Sequence, residues 1–470
     1  METTASLSLA QRLRQALRAP SGAGGDVALV AATQDARVED IAEALRDLTN
    51  PEALAVFNWL DNKRAADVLG NLEPDTARYI LSNAPPTRLV DLLDLLPMDD
   101  AAWVMSEAPP EQAAVLMSLL QQRAPVDAEE VRELLTYEDG TAGRLMTDKF
   151  VRLRADSTIA QAWQDVRRAD PDVETLTDVY IVEHENNDPE REKLLGVMSL
   201  RELVRARDEE CLADVMTRDV ISVSVDTDQE EVARQFSKYD FLAMPVLDRD
   251  GYFVGIVTVD DVIDVLTEET TEDQLKFGGV AVEEGASLPY FSTPLARVVR
   301  ARLGWSFLLF IASTATASVL RNYENDLQTV VALSLFIPLL IGTGGNTGAQ
   351  AVSTVIRGLA LKEIKTGDLG RVILREITGG LMLGLCLGFF GFLAALFMAP
   401  DAGPRLALVV GLTVISIVTW SNTVGAVIPI LAQKVKVDPA LVSAPLITTL
   451  VDATGLIIYL SIARALLAAL

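Results

Sequence analysis

The chain has 470 residues, half of them hydrophobic, and a formal net charge of −26 at pH 7. Its length, and the combination of a high hydrophobic content with a large negative charge, exclude a single ordinary globular domain. From residue 291 onward there are 13 Lys and Arg against 8 Asp and Glu, a net charge of +5, so the first 290 residues carry −31. An acidic, water-facing portion therefore precedes an apolar, slightly basic one, and no nucleic-acid partner is expected.

Residues 1–29 are predicted to be an N-terminal tail with a helix. Their sequence begins METTASLSLAQRLRQALRAP and lacks the apolar stretch of a secretory signal. Cys211 and Cys386 fall in different portions, so neither a disulfide framework nor a cysteine metal cluster is expected. The soluble portion is therefore expected in the cytosol.

Residues 30–137 are predicted to form a superhelical all-α domain. Prolines recur about every dozen residues, between the apolar runs AADVLGNL, RLVDLLDLL and AAVLMSLL. Proline at the first helical position followed by apolar residues at i, i+3 and i+4 is typical of a series of short helices. The predicted helix starts are Pro74, Pro86, Pro97 and Pro110.

Residues 138–267 contain an internal repeat. LMTDKFVRLRADSTIAQAWQDV at 145–166 recurs as VMTRDVISVSVDTDQEEVARQF at 215–236, and LLGVMSLRELV recurs as FVGIVTVDDVI. The pattern resembles a tandem pair of CBS domains, which are regulatory α/β modules. The extra residues ENNDPERE of the first copy, with the only histidine, His184, just before them, are predicted to be a solvated loop.

Residues 268–298 are predicted to be an acidic connecting helix. The run VDDVIDVLTEETTEDQ at 259–274 includes six carboxylates at helical-turn spacing, where like charges repel: Asp261, Asp264, Glu268, Glu269, Glu272 and Asp273. A solvated charged face is the usual explanation of such a run. Its position before an apolar portion makes a divalent-cation site the alternative.

Residues 299–470 are predicted to form a membrane domain of five helices. The apolar stretches lie at about 303–320, 328–358, 377–399, 405–433 and 444–468, and each reaches the ~20 residues that a helix needs to cross a bilayer. The connections predicted on one face carry ten Lys or Arg, against three on the other. The positive-inside rule then predicts cytoplasmic N-terminal domains and an external C-terminus.

The second apolar stretch contains the glycine-rich sequence GTGGNTG, which has three possible interpretations. A dinucleotide fingerprint is excluded because no preceding strand or βαβ unit fits. Small residues can serve close helix packing, or the helix can line a polar path at membrane depth. Pro338, Asn346, Gln350 and the glycines, including Gly344 and Gly345, favour the polar path.

Asp452 lies in the middle of the fifth stretch, one turn after Thr448 and Thr449. An intramembrane carboxylate is costly and usually faces a cavity or an ion path. No Lys or Arg lies near mid-span to pair with it. A twofold homodimer would bring two copies of Asp452 to one axis, and oxygen ligands suit a hard cation.

Four motifs resemble the MgtE-type magnesium channel family: TAGRLMT, GIVTVDDVIDVL, PLLIGTGGNTGAQ and DPALVSAPLITTLVDATGL. The resemblance covers most of the chain. It implies a multi-domain membrane protein with a helical N domain, a CBS pair, a connecting (plug) helix and five membrane helices. It also implies a homodimer in the cytoplasmic (inner) membrane that imports Mg²⁺ and closes when cytosolic Mg²⁺ is high.

The resemblance also implies site residues. Asp452 matches a pore aspartate that binds hydrated Mg²⁺, and Asp438 matches an acidic position near the cytoplasmic pore end. The positions that match Mg²⁺ sensors are Asp67, Asp99, Asp228, Glu230, Asp240, Asp261, Asp264, Glu269, Glu272 and Asp273. Trp103 departs from the family, which often has a further Asp there. ATP at the CBS pair would lie near Arg201, Glu202 and Phe241.

Two other functions remain open at this point. A divalent-cation transporter preferring Mn²⁺ or Co²⁺ would have the same features. A CBS-regulated membrane enzyme is the alternative from another class, but no nucleophile–base pair, histidine metal site or phosphate loop supports it. The sequence therefore predicts a transporter and not an enzyme.

Overall fold

The computed structural model describes residues 7–18, 23–170, 173–185, 188–281 and 293–467. Two compact units divide this part of the chain. Unit 1 contains the described residues up to Glu269, together with Thr293. Unit 2 contains those from Thr270 to Ala281 and from Pro294 on. Residues 282–292 of the predicted connecting segment lie outside the described residues.

Unit 1 begins with short helices, as the proline spacing predicts. Pro74, Pro86 and Pro110 each occupy the first position of a helix, and Pro97 immediately precedes one. The missing N–H of proline costs nothing at a helix start, where the N–H has no partner in the helix. The helices are α1 Leu9–Arg18, α2 Ala23–Thr33, α3 Val38–Arg46, α4 Asn50–Trp59, α5 Asn62–Gly70, α6 Pro74–Asn83, α7 Pro86–Leu93, α8 Met98–Glu107, α9 Pro110–Arg123 and α10 Pro125–Leu134.

Two three-stranded sheets follow and confirm the repeat. In each sheet the middle strand runs parallel to the first strand and antiparallel to the third. The elements are α11 Ala142–Leu145, β1 Arg152–Arg154, α12 Ile159–Arg168, β2 Asp178–Glu185, β3 Asp188–Ser199, α13 Leu200–Arg205, α14 Leu212–Val215, β4 Val223–Ser224, α15 Gln229–Tyr239, β5 Ala243–Leu247, β6 Phe253–Thr258 and α16 Val259–Phe277. The rings of Phe150, Tyr180 and Phe253 cluster between the two copies.

The prediction of a solvated loop in the first copy is wrong. His184 lies on β2 opposite Glu192 of β3, and the strands Asp178–Glu185 and Asp188–Ser199 pair antiparallel. Glu183 faces Lys193, so opposite charges pair across the strands. Charged and polar residues point to both faces of this part of the strand, so the sequence shows no apolar–polar alternation that would predict it.

Unit 2 contains five helices of membrane-spanning length and composition in the described chain, which confirms the five predicted spans. They are α17 Leu295–Asn322, α19 Ala332–Ala360, α20 Leu369–Met398, α21 Gly403–Lys434 and α22 Ala444–Leu466; the short helix α18 Glu324–Thr329 lies between the first two. Helix α21 packs against α19, α20 and α22. The helices begin and end within eight residues of the predicted limits.

Candidate ion path and cation-sensing residues

Asp452 is the ninth residue of α22, about 12 Å along the axis from its first residue. Its carboxylate makes no hydrogen bond or ion pair with any described residue. The side chain is partly accessible and not sealed in the core. An uncompensated carboxylate at this depth needs a cation or water.

The glycine-rich stretch lies against the same turn of α22. A Cβ built on Gly344 would come 2.9 Å from Val451 Cγ1, and one on Gly345 would come 3.2 Å from Thr448 Cγ2. The backbone of α19 therefore approaches the helix that carries Asp452. The structure brings together two features that lie about one hundred residues apart in the sequence.

Helix α19 is continuous through the glycines, with Pro338 inside it. Gly344 and Gly345 are buried, so at these positions the structure shows close packing between helices. A different face of α19 is uncovered: Gly342, Asn346 and Gln350, spaced by four residues, are all exposed. Asn346 is accessible, and the pore roles of Asn346, Gly344 and Gly345 stay predictions.

Asp438 precedes the 3₁₀ turn Pro439–Leu441, and one carboxylate oxygen accepts the N–H of Ala440 at 2.8 Å. The other oxygen accepts a hydrogen bond from Lys276 Nζ at 2.8 Å. The same ammonium lies 2.5 Å from Glu272 Oε1. Two predicted ion-contacting carboxylates thus share one lysine.

In unit 1 the first turn of α8 meets the first turn of α16. Asp99 and Asp100 interact electrostatically with Asp261, and Glu174 belongs to the same group. Asp99 Oδ1 is buried and has no hydrogen-bond partner among the described residues. Thr258 Oγ1 donates to Asp261 Oδ2 at 2.8 Å. We call Asp99, Asp100, Glu174 and Asp261 the acidic cluster.

The acidic cluster is electrostatically strained. Burial, and then the charges of Asp261 and Asp100, raise the pKa of Asp99 well above its ordinary value. Burial chiefly raises the pKa of Asp100 to about 6. Burial also raises the pKa of Asp261 to about 7, against the hydrogen bond from Thr258, which lowers it. Like charges without a counter-ion favour either protonation or a bound cation.

The remaining predicted sensors fall into separate places. Asp67 and Asp264 lie near the acidic cluster and raise the pKa of Asp100. Asp228 and Glu230 are at the start of α15, and Asp240 is at its other end. A single ion therefore cannot bind Asp240 together with Asp228 or Glu230. Glu269 accepts a hydrogen bond from Gln229 at 2.7 Å, and Asp273 is exposed on α16.

Sequence reasoning missed Asp100, Glu174 and Lys276. Asp100 is visible as the second member of the aspartate pair at the start of α8, and Lys276 as the i+4 neighbour of Glu272. No local signal marks Glu174, which reaches the cluster through the fold. Trp103, which stands where the family often has Asp, packs partly buried against the core of unit 1.

The donors fit Mg²⁺ in kind, since all are carboxylate oxygens and Asp99 Oδ1 has no other partner. Within the described ranges, however, no three Asp, Glu, His or Cys converge closely enough to hold one ion by themselves. Waters would therefore have to complete the coordination, as they usually do for Mg²⁺.

The predicted nucleotide residues fit ATP in part. Phe241 stacks on Tyr239 with ring centroids 5.4 Å apart, and Arg201 is exposed. The carboxylate of Glu202 caps α13 by accepting hydrogen bonds from the N–H and the hydroxyl of Ser199. Glu202 therefore has a structural role that does not require a nucleotide.

Comparison with known proteins gives three family matches: "Divalent cation transporter" over residues 337–462, "MgtE intracellular N domain" over 36–140 and "CBS domain" over 212–268. The chain is 44% identical to the magnesium transporter MgtE of Thermus thermophilus, over 73% of this chain and 74% of that protein. It is 39% identical to the magnesium transporter MgtE of Enterococcus faecalis, over 72% and 71%.

Among solved structures, the chain is similar to the cytosolic domain of the Mg²⁺ channel MgtE in complex with ATP. The identity is 35% and the TM-score 0.48, over 55% of this chain and 99% of that one. The family assignment rests on the sequence identities to the two magnesium transporters and on the share of each chain that the matches cover. The chain belongs to the MgtE family of divalent cation transporters.

Proposed function

We propose that the chain carries Mg²⁺ into the cell across the cytoplasmic membrane, along a path that passes Asp452. The supporting observation is the carboxylate itself, which sits mid-span without a hydrogen bond or ion pair to any described residue. Thr448, one turn earlier, and the exposed Asn346 add oxygen ligands to this region. Mg²⁺ loses its water reluctantly, so a hydrated ion held by few carboxylates suits this arrangement.

The transporting form is a homodimer in this proposal. A single Asp452 provides one charge, and the exposed stripe of Gly342, Asn346 and Gln350 is poorly suited to lipid. A twofold axis beside this stripe would cover it and bring two carboxylates to one path. The N-terminal domains and α16 lie on the cytoplasmic side, where most loop Lys and Arg are expected, and the C-terminus lies outside.

Cytosolic Mg²⁺ closes the path through the acidic cluster. Asp99, Asp100, Glu174 and Asp261 carry like charges that favour separation of α8 from α16. Bound Mg²⁺ supplies the positive charge that the cluster lacks. Asp99 and Asp261 can then stay together in their ionised forms, and α16 stays in its compact arrangement. Uptake would thereby limit itself.

A nucleotide site at the CBS pair is a further part of the proposal. It rests on the ATP complex named for the related cytosolic domain and on the partial fit of Phe241 and Arg201. Isothermal titration of ATP into the full-length protein, with Phe241→Ala as the control, tests it. Equal binding by both proteins would exclude this site.

Transport is tested by reconstituting the full chain alone into liposomes that contain a Mg²⁺-sensitive dye. We expect Mg²⁺ entry down its gradient without ATP or any other substrate. Mn²⁺ and Co²⁺ are compared in the same vesicles, and faster entry of either ion would revise the preferred cargo. Absence of flux for all three ions would contradict the proposal and revive the enzyme alternative.

Gating is tested with a variant in which four carboxylates of α16 are replaced by Ala: Asp261, Asp264, Glu269 and Glu272. The substitutions remove ligands and repulsion together, so the decisive measurement is the response of flux to cytosolic Mg²⁺. We expect a nearly flat response. Inhibition equal to that of the unaltered protein would mean that these four carboxylates do not sense Mg²⁺.

A further inference from the structure

Lys276 joins the C-terminal end of α16 to the segment that leads into α22. Its ammonium contacts Asp438 Oδ2 at 2.8 Å and Glu272 Oε1 at 2.5 Å, and its side chain is 22% exposed. Burial disfavours the charge, but the hydrogen bonds to Asp438 and Glu272 outweigh it and raise the pKa of Lys276 above its ordinary value. The lysine is thus a fixed cation at a carboxylate 162 residues away along the chain.

A second contact lies just beyond the end of α16. Gly279 has a φ of +74°, and a Cβ built on it would lie 2.3 Å from Trp305 Cδ1. The indole N–H of Trp305 donates to Ser443 Oγ at 2.8 Å. Ser443 is fully buried and is the N-cap of α22. Gly279, just after α16, is therefore packed against the indole of Trp305, which in turn holds Ser443 at the start of α22.

Both contacts end on the same short segment. Asp438 and Ser443 are five residues apart: Asp438 caps the 3₁₀ turn Pro439–Leu441, and Ser443 caps α22, the helix that carries Asp452. Asp438 is held on its other side by the N–H of Ala440, so the carboxylate is oriented and does not follow Lys276 freely. An oriented, charge-assisted contact of this kind is stronger than an ordinary surface ion pair.

We propose that Lys276 is a positioning residue for ion transport: its ammonium acts as a built-in cation that holds the end of α16 on Asp438 and so favours the closed path. The proposal rests on the proposed function, since it assumes Mg²⁺ flux that cytosolic Mg²⁺ inhibits. While Lys276 occupies Asp438, that carboxylate is not available to a passing ion. Release of Lys276 frees both the carboxylate and the end of α16.

The direction of the effect separates this role from a simple charge effect. If Lys276 only weakened the local negative potential, its removal would strengthen Mg²⁺ binding, and less Mg²⁺ would inhibit. If Lys276 holds the closed arrangement, its removal means that more Mg²⁺ is required. We expect the half-inhibiting Mg²⁺ concentration to rise about fivefold or more, the lower end of typical coupling between sites.

The test uses the full-length protein in liposomes, with Cys211 and Cys386 replaced by Ser and Lys276→Cys added. Methanethiosulfonate reagents then attach an aminoethyl, a methyl or a sulfonatoethyl group at position 276. We expect the aminoethyl group, which restores an ammonium, to restore Mg²⁺ inhibition to within about twofold of the cysteine-free parent. The methyl group should not restore it, and the sulfonatoethyl group should weaken inhibition further.

Lys434→Cys, treated in the same way, is the matched control, because Lys434 forms no ion pair with any described residue. Recovery by one reagent within a single preparation also excludes misfolding as the cause. Unchanged or increased Mg²⁺ sensitivity of Lys276→Cys, or equal effects of the three reagents, would overturn the proposal. Loss of Mg²⁺ flux in the cysteine-free parent would instead count against the proposed function.

Discussion

Replacement of Gly344 by Ala tests whether the glycine-rich stretch is a packing contact beside Asp452. The added methyl carbon would lie 2.5 Å from Ile417 Cγ2 and 2.9 Å from Val451 Cγ1. Ile417 and Val451 are 1% and 0% exposed, so neither side chain can turn away into open space. Overpacking of this kind costs about 1–3 kcal/mol.

Gly379→Ala, inside α20, is the matched control, because Gly379 is outside the exposed stripe of α19. A Cβ there meets nothing within 4 Å, and both substitutions gain the same helix propensity of up to ~1 kcal/mol. The stability difference between the two variants is therefore the overpacking cost alone. For a unit of this size it corresponds to roughly 2–12 °C in melting temperature.

The assay is thermal denaturation of the detergent-solubilised dimer or monomer, followed by the fraction that remains monodisperse, with Mg²⁺ flux measured in parallel. We expect Gly344→Ala to melt below Gly379→Ala and to conduct less, because α19 must move away from α22. Equal melting temperatures and equal flux would refute the close approach of the two helices at Gly344.

Two further predictions concern the acidic cluster. Asp99→Asn removes one like charge without changing the shape of the side chain, so we expect slower proteolysis of unit 1 in the absence of divalent ions. The additional protection that Mg²⁺ gives should become smaller. Unchanged protection by Mg²⁺ would contradict a sensing role for Asp99. Because the pKa of Asp261 is raised to about 7, the folded state is penalised above that pH, and the penalty disappears as the pH falls towards the ordinary value of 3.8. Lowering the pH from about 8 to about 6 without Mg²⁺ should therefore slow proteolysis of unit 1, and Asp261→Asn should weaken this effect; faster proteolysis at the lower pH would refute the assignment.

The elements that the sequence predicted well are those with a local cause. Proline at N1 marked the helix starts at Pro74, Pro86 and Pro110, and apolar runs of sufficient length marked the five spans. The repeat predicted both three-stranded sheets. Each of these signals is contained within a few tens of residues.

The features that escaped prediction depend on residues brought together by the fold. Glu174 reaches Asp99 from the first CBS copy, and Lys276 reaches Asp438 across 162 residues. The hairpin that contains His184 lacks an apolar alternation, because opposite charges pair across its strands. Position along the sequence did not indicate that Gly344 and Gly345 would be buried while Asn346 stayed exposed.

Mg²⁺ flux through Asp452→Asn in liposomes tests the proposed path most directly, with Asp401→Asn, in the turn between α20 and α21, as the control. The amide keeps the shape of the aspartate and removes its charge. We predict that Asp452→Asn lowers flux at least about tenfold, since contacts of a charged group contribute about 1.5–3 kcal/mol. Asp401→Asn should conduct like the unaltered protein. Equal Mg²⁺ flux through both variants would contradict a path that passes Asp452.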